Sequence, residues 1–345
     1  MKKKILFLQS EIHNYHISLL KEIVDTYGYN IIVIYKDKNT QTPYVPPKLD
    51  GVEFIGKSSF DDFKALKSYV LRLELVLIRT SGWMDKEYLR ISRGLKKRKN
   101  IVVAVSDTQW KNNFKQTLGA FLIGRYIKNS FSKIMVAGPY QFEYARRIGF
   151  SKKDILFNNL SADTNVYDTI KIDNDYSKTI LYVGNLEEVK GTHILLEAWS
   201  SLKEKNGWKL ELIGQGKFFN YTIAPDIVYR GYLENIEIHD AMKSSGFLIL
   251  PSKREQWGVV MHEATLSGLP IICSDEVGAI PYFLISGYNG FTFQTGNVKD
   301  LADKLEFILN LKEEEIRQMK KNSLSLGHRI TTPISAASLM SAIIS

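Results

Sequence analysis

Short runs of β-branched and aliphatic residues alternate with stretches of helical period along most of the chain. In the first half, the runs at 4–8, 30–35, 52–55, 75–79, 100–105, 133–136 and 154–157 predict strands. Apolar residues spaced by three and four predict helices at 15–27, 60–73, 85–97, 111–128 and 139–148. Gly28 and Gly149 fall at C-cap positions of two of them. Residues 171–178 (KIDNDYSK) are polar, break the period and read as a linker. The rhythm restarts with strands at 179–183, 208–213, 227–229, 247–250 and 270–273. Helices follow at 192–205, 236–244, 259–267, 300–309 and 313–323. Such alternation implies parallel sheets with helices on their faces. The expected fold class is α/β, with doubly wound domains at 1–170 and 179–330 facing across a cleft. A last helix at 331–345 is expected to pack back on the first domain.

Composition narrows the class. The 345 residues are about twice the usual domain length, and 44% hydrophobic with 24% charged residues exclude a disordered or fibrous chain. Apolar runs stop at five or six residues, too short for a transmembrane helix, and the stretch after Met1-Lys2-Lys3-Lys4 is too short for a signal peptide. The single cysteine, Cys273, excludes an internal disulfide framework and fits a reducing cytosol. The six histidines show no zinc-ligand spacing. Asp173-Asn174-Asp175 fits a D-x-D cation pattern, but its place in the linker favours a solvated hinge, so no metal is expected.

The net charge of +9 invites a nucleic-acid partner, yet no nucleic-acid-binding signature accompanies it. The charge is also uneven, with 29 Lys and Arg against 16 Asp and Glu up to Ile172, then 17 against 21. Residues 86–99 are dense in cations. Residues 110–131 mix Trp110, Phe114, Leu118, Phe121, Leu122, Tyr126 and Ile127 with Lys111, Lys115, Arg125 and Lys128. Aromatic and basic residues at helical spacing suit an anionic membrane interface. They equally suit an amphipathic helix packed on the sheet with its basic face outward.

The candidate chemistry lies in the second half. Strand 179–183 runs into Gly184-Asn185-Leu186-Glu187-Glu188-Val189-Lys190-Gly191, and an apolar helix follows. Such a loop offers backbone N–H groups to a phosphate, and Lys190 adds a point charge. Gly214-Gln215-Gly216 ends the next strand, where small residues let a ligand approach the backbone. Glu255 precedes a helix that starts near Trp257, and Glu263 lies a little over one turn inside it. Two carboxylates so placed can hold different hydroxyls of one ligand, while the Trp257, Gly258 and Val259 amides form the helix N-terminus.

Glu255 and Glu263, seven residues between them, with Ala264 and Gly268-Leu269-Pro270 resemble the donor-site signature of the family 4 glycosyltransferases. These are retaining enzymes of the GT-B fold, two Rossmann-like domains. Tyr182-Val183-Gly184-Asn185-Leu186 with Lys190-Gly191 resembles that family's first phosphate loop. Leu212-Ile213-Gly214-Gln215-Gly216 and Arg230-Gly231-Tyr232-Leu233 resemble its nucleotide-facing loops. Val136-Ala137-Gly138-Pro139 through Asn158-Asn159-Leu160 to Asp163 resembles the end of its first domain. The likeness covers roughly residues 130–310, and the residues before it share only the βα rhythm.

The resemblance implies roles. Glu263 would accept hydrogen bonds from ribose hydroxyls, Glu255 would hold the transferred sugar, and the Trp257–Val259 amides would bind sugar or phosphates. Lys190 would neutralise the diphosphate without a metal. The family's usual arginine is replaced by Asn185, for which Lys253 or Arg254 would compensate. Its frequent histidine after strand 100–105 is replaced by Ser106 or Asp107. Asp107 either serves as base for the acceptor hydroxyl or caps the following helix, and the leaving phosphate can itself take that proton. Loop 9–14 should face the cleft but lacks paired glycines, and His13 reads as a helix-start residue.

The implied function is transfer of a sugar, with retention, from a nucleotide diphosphate sugar to a saccharide acceptor. The expected donor is a UDP sugar and the expected acceptor a lipid-linked saccharide of a bacterial capsule or lipopolysaccharide. The first domain would bind the acceptor and an anionic membrane; the second would bind the donor. No cofactor is expected, and the place is cytoplasmic, peripheral on the inner face of the cell membrane. Two rivals remain: a nucleotide-sugar epimerase of the same fold and a non-catalytic membrane-binding relative. Asn185 favours the latter; intact Glu255, Lys190 and Glu263 oppose it.

Overall fold

A computed structural model describes residues 4–38, 45–167 and 176–344. They form two compact units, Met1–Ser161 with Ile330–Ser345, and Ala162–Arg329.

The first unit runs β1 (Lys4–Gln9), α1 (Asn14–Tyr27), β2 (Asn30–Tyr35), β3 (Val52–Gly56), α2 (Phe63–Arg72), β4 (Leu75–Thr80), α3 (Lys86–Lys97), β5 (Ile101–Ser106), α4 (Phe114–Ser130), β6 (Lys133–Val136), α5 (Pro139–Arg147) and β7 (Ile155–Leu156). Its seven-stranded sheet has the order β3-β2-β1-β4-β5-β6-β7. All of these pairings are parallel. Strand β1 is apolar almost throughout because both faces are covered. Leu6 and Leu8 pack with Val70, Ile91 and Ile127 of the helices on one side; Ile5 and Phe7 pack with Leu20 and Ile23 of α1 on the other.

The second unit runs α6 (Thr164–Tyr167), β8 (Thr179–Val183), α7 (Thr192–Ser201), β9 (Lys209–Ile213), β10 (Ile227–Gly231), α8 (Asn235–Ser244), β11 (Phe247–Leu250), α9 (Val259–Leu266), β12 (Ile271–Ser274), α10 (Ile280–Phe283), β13 (Gly290–Phe293), α11 (Val298–Leu309) and α12 (Glu313–Gly327). Its parallel sheet has the order β10-β9-β8-β11-β12-β13. Trp199, Leu210, Leu212, Phe247 and Ile249 centre its core, and the Trp199 indole donates to Asp226 at 2.8 Å. The chain then returns to the first unit as α13 (Thr332–Ile344), whose Ala336, Leu339 and Met340 join the α1 face of that sheet. Ser335 and Ser338 donate to the carbonyls of Asn158 and Phe157, both at 2.7 Å.

The architecture is α/β, two Rossmann-like units as expected, with differences in detail. The division falls at Ser161 and Ala162, ahead of the expected linker. The physical reason is packing: the Ala162 N–H donates to His262 Nδ1 at 2.8 Å, and the Tyr167 ring meets His239 edge-on at 5.0 Å. Residues 171–175, with the D-x-D pattern, lie outside the described residues. Helix α4 starts at Phe114 with Asn113 as its cap, accepting from the Gln116 N–H at 2.9 Å, so Asp107 does not cap it. Helix α10 follows Gly278-Ala279, where a helix start is readable, whereas helix α6 and strand β13 were not anticipated, being only four residues each and too short to show a period.

Leu339→Ala removes a fully buried side chain from the seam between α13 and the first sheet. It should lower stability by about 3 kcal/mol in urea unfolding; a loss well under 1 kcal/mol would contradict this packing.

Candidate functional site

In an open parallel sheet, ligands bind outside the carboxyl ends of the strands where the strand order reverses. In the second unit that point lies between β8 and β11. The loops leaving these two strands carry Lys190 and Glu255. Gly191 follows Lys190 in the left-handed region, φ 71°, and opens α7. A Cβ there would overlap the Pro251 carbonyl oxygen, so glycine alone lets the two loops touch. The Lys253 N–H donates to the Val189 carbonyl at 2.9 Å and closes the contact.

Across this seam the Lys190 ammonium donates to Glu255 Oε2 at 2.6 Å, and Ser252 Oγ donates to the same oxygen at 3.3 Å. Both charged side chains are partly buried, which strengthens the pair relative to a surface one. The neighbouring loops are stitched to this one: Gly184 donates to Ile213, Gly214 to Gly231 and Leu186 to Gln215, at 2.7–3.0 Å. A Cβ on Gly214 would overlap the Gly184 carbonyl oxygen.

The Glu255 backbone is fixed by Gly278, whose N–H donates to its carbonyl at 3.0 Å. Gly258 turns through φ 94° into α9, and the Gly258 and Val259 amides at the helix start have no acceptor among the described residues. Trp257 contributes only its backbone, because its ring packs edge-on against Tyr282 and Phe283 at 5.8 and 6.0 Å. Within α9, buried His262 accepts from Ala162, donates from Nε2 to the Gly327 carbonyl at 2.9 Å and stacks on Phe283 at 4.4 Å. This pinning fixes the rotation of α9 and so the direction of Glu263. Desolvation, with the Asp163 charge adding, pushes the Glu263 carboxyl up to about 7. Tyr167 sits in the same field, its phenol pushed up by burial, then by Glu263 and Asp163.

Lys190, Glu255, Gly184, Gly214, Gly216, Gly258, Val259 and Glu263 thus belong to the loops and helix at one end of the sheet. Asn185 is exposed, and its carbonyl accepts from Tyr182 at 2.7 Å. Arg254 is exposed with no ion pair among the described residues, whereas Lys253 lies 3.6 Å from Glu188. The Arg230 guanidinium is held by Glu211 at 3.0 Å, and Tyr232 is 71% exposed, so neither is built into the pair's surroundings. Asp163 and Tyr167 were missed as site residues because they come to Glu263 by tertiary packing.

In the first unit the order reverses between β1 and β4. Asp107, just beyond β5, lines a cavity of about 180 Å³ there with Gln9, His16, Arg79 and Ser106. His13 is the first residue of the α1 cap, 3.9 Å from Glu11.

Residues 167–325 match the family model described as Glycosyl transferases group 1, and the match covers nearly all of the second unit. An uncharacterized glycosyltransferase of Methanocaldococcus jannaschii is 30% identical over 218 residues, 56% of this chain and 57% of that protein. The capsular polysaccharide biosynthesis glycosyltransferase CapM of Staphylococcus aureus is 26% identical over 52% of this chain and 48% of its own. The chain thus spans about half the length of these two relatives. An uncharacterized 41.2 kDa protein in the cps region of Klebsiella pneumoniae is 23% identical over 88% of this chain and 78% of its own. Anabaena HepE, solved with UDP and glucose, shares the fold with a TM-score of 0.73 at 15% identity, covering 99% of this chain and 100% of that one. Both belong to the GT-B architecture of two Rossmann-like units.

The raised Glu263 carboxyl has a consequence for stability. The folded state holds this proton more tightly than the unfolded chain, so ionisation weakens the fold as pH rises from about 4.5 to about 7. Glu263→Gln should therefore add nothing to stability at pH 4 and a growing increment up to pH 8. Equal differences at both ends, measured by urea unfolding, would contradict the assignment.

Proposed function

We propose that this chain is a retaining, metal-independent glycosyltransferase that moves a sugar from a nucleotide diphosphate sugar to a saccharide acceptor. The observation that carries this reading is the Lys190–Glu255 pair at the reversal point of the second unit. A diphosphate draws Lys190 away, and the released Glu255 carboxylate takes hydroxyls of the transferred sugar. Lys190 then neutralises the charge that grows on the leaving diphosphate, and the Gly258 and Val259 amides add fixed donors. Arg254, exposed and unpaired among the described residues, supplies the second cation that Asn185 lacks. Glu263 binds the ribose hydroxyls. The leaving phosphate oxygen, or Asp107, takes the acceptor's proton. A UDP sugar is the donor this reading favours, supported by the UDP-glucose complex of HepE.

The acceptor is a lipid-linked saccharide of a bacterial capsule or lipopolysaccharide, a reading supported by the capsule enzyme CapM and the cps-region relative. It places the enzyme on the cytoplasmic face of an anionic membrane. The surface of α4 supports this. Only Gly124, Ile127 and Ser130 are buried on that helix, while Phe114 is 79%, Phe121 83% and Leu122 64% exposed. Large apolar residues turned outward beside the exposed Lys111, Lys115 and Arg125 are not what a helix packed by its apolar face on the sheet shows. Among the described residues no helix is long and apolar enough to cross a membrane, so contact would be interfacial.

Two measurements test the reading. A screen of UDP, GDP, ADP and dTDP sugars should show turnover with at least one UDP sugar, falling roughly 100-fold in Lys190→Ala. Silence across all four classes, or a Lys190→Ala enzyme within a few-fold of wild type, would overturn it. In flotation with phosphatidylglycerol vesicles, wild type should rise with the lipid at low salt. The Phe114→Ser/Phe121→Ser variant should stay behind, and equal behaviour would remove the membrane from the account.

A further inference from the structure

The cavity of the first unit holds a cation that forms no ion pair among the described residues. Arg79 is the penultimate residue of β4, a charged residue in an otherwise apolar run, and it is 1% exposed. Its guanidinium donates to two amide oxygens, Gln9 Oε1 at 2.8 Å and Asn159 Oδ1 at 2.9 Å. Among the described residues its Nε has no partner and no carboxylate forms an ion pair with it. Desolvation pulls this guanidinium down to about 10, with only the Tyr15 hydroxyl group opposing. Buried charges are normally paired, because the lost hydration must be replaced.

Apart from Asp107, the remaining walls are neutral. His16 is buried against Gln9, its Nε2 3.1 Å from the Gln9 amide nitrogen, and its Nδ1 accepts from the His13 N–H at 3.0 Å. Burial, then Arg79 and His13, hold it well below its ordinary value, so it carries no charge near neutral pH. Ser81, whose hydroxyl lies 2.7 Å from that of Ser10, and Ser106 add hydroxyls. Among the described residues Asp107 is the one acid lining the cavity, and it is exposed just beyond β5. The cavity opens at the carboxyl ends of β1, β4 and β5, where the strand order reverses.

We propose that this cavity is an oxyanion site, in which Arg79 binds a carboxylate or phosphate carried by the ligand of the first unit. The two amide oxygens hold the guanidinium in place without neutralising it, so its charge stays available to the incoming group. An oxyanion supplies the counter-charge the fold omits and accepts charge-assisted hydrogen bonds from the guanidinium. In the context of the proposed transferase, the site selects acceptors bearing an acidic substituent. It does not depend on the donor site, because the residues involved all belong to the first unit.

The test uses the full-length protein and titration calorimetry with methyl glucuronoside, glucose 1-phosphate and neutral methyl glucoside. UDP binding is followed in parallel, so failure of the donor reading registers separately. At least one anionic sugar should bind no less than tenfold more tightly than the neutral one, and which one does identifies carboxylate or phosphate as the natural group. Arg79→Gln should remove that preference and Arg79→Lys should keep part of it. Asn159→Asp covers the case in which Arg79→Gln does not fold. It keeps the side chain's shape and gives the guanidinium an internal carboxylate, so it should raise the melting temperature while abolishing the anion preference. Equal binding of neutral and anionic sugars, no binding of either anion, or an Asn159→Asp protein that retains the preference would each overturn the proposal.

Discussion

The second unit is organised around a close approach of two loops that only a glycine permits. With any side chain at Gly191, the loop from β8 would be pushed off the Pro251 carbonyl, and Lys190 would no longer reach Glu255. The left-handed turn at Gly191 also starts α7, so one residue sets the helix direction and the loop contact together. The cation, the carboxylate and the open amides of α9 then converge at one end of the sheet. The paired state stores both charges in a neutral, partly buried form, which a diphosphate can exchange for a stronger partner.

The two units solve the same topological problem with opposite electrostatics. Each has its strand order reversing beside the first strand of its sheet, and each places charge at that point. In the second unit the charges cancel within the protein, Lys190 against Glu255. In the first, Arg79 is braced by the neutral amides of Gln9 and Asn159. The difference concerns what each site must wait for: one exchanges an internal partner, the other lacks one.

Much of the fold was legible because both sheets are covered on both faces. Strands such as 247–250 then carry uninterrupted apolar runs, and the helices between them keep a readable period. Strand β13 was not legible, since its four residues take their place from pairing with β12 and not from a pattern of their own. Lys190, Glu255 and Glu263, the proposed donor-site residues, were legible as motifs, but their states were not. That Lys190 and Glu255 bond each other, and that Asp163 and desolvation raise Glu263, depends on contacts between segments far apart in sequence. The outward turn of Phe114 and Phe121 was hidden for a related reason: small Gly124 lets α4 lie close to the Ile148 backbone on a narrow stripe, leaving the large residues outside. Arg79 was not singled out in the sequence, because its partners come from β1 and from the segment after β7.

The central claim is that the Lys190–Glu255 pair is the seat of the donor diphosphate. A crystal structure of the full chain with UDP bound tests it directly. The account predicts a phosphate oxygen within hydrogen-bond distance of the Lys190 ammonium and the uridine ribose on Glu263, with the bond to Glu255 opened from its 2.6 Å. UDP bound elsewhere, or bound there with the Lys190–Glu255 contact intact and no phosphate on the lysine, would contradict it.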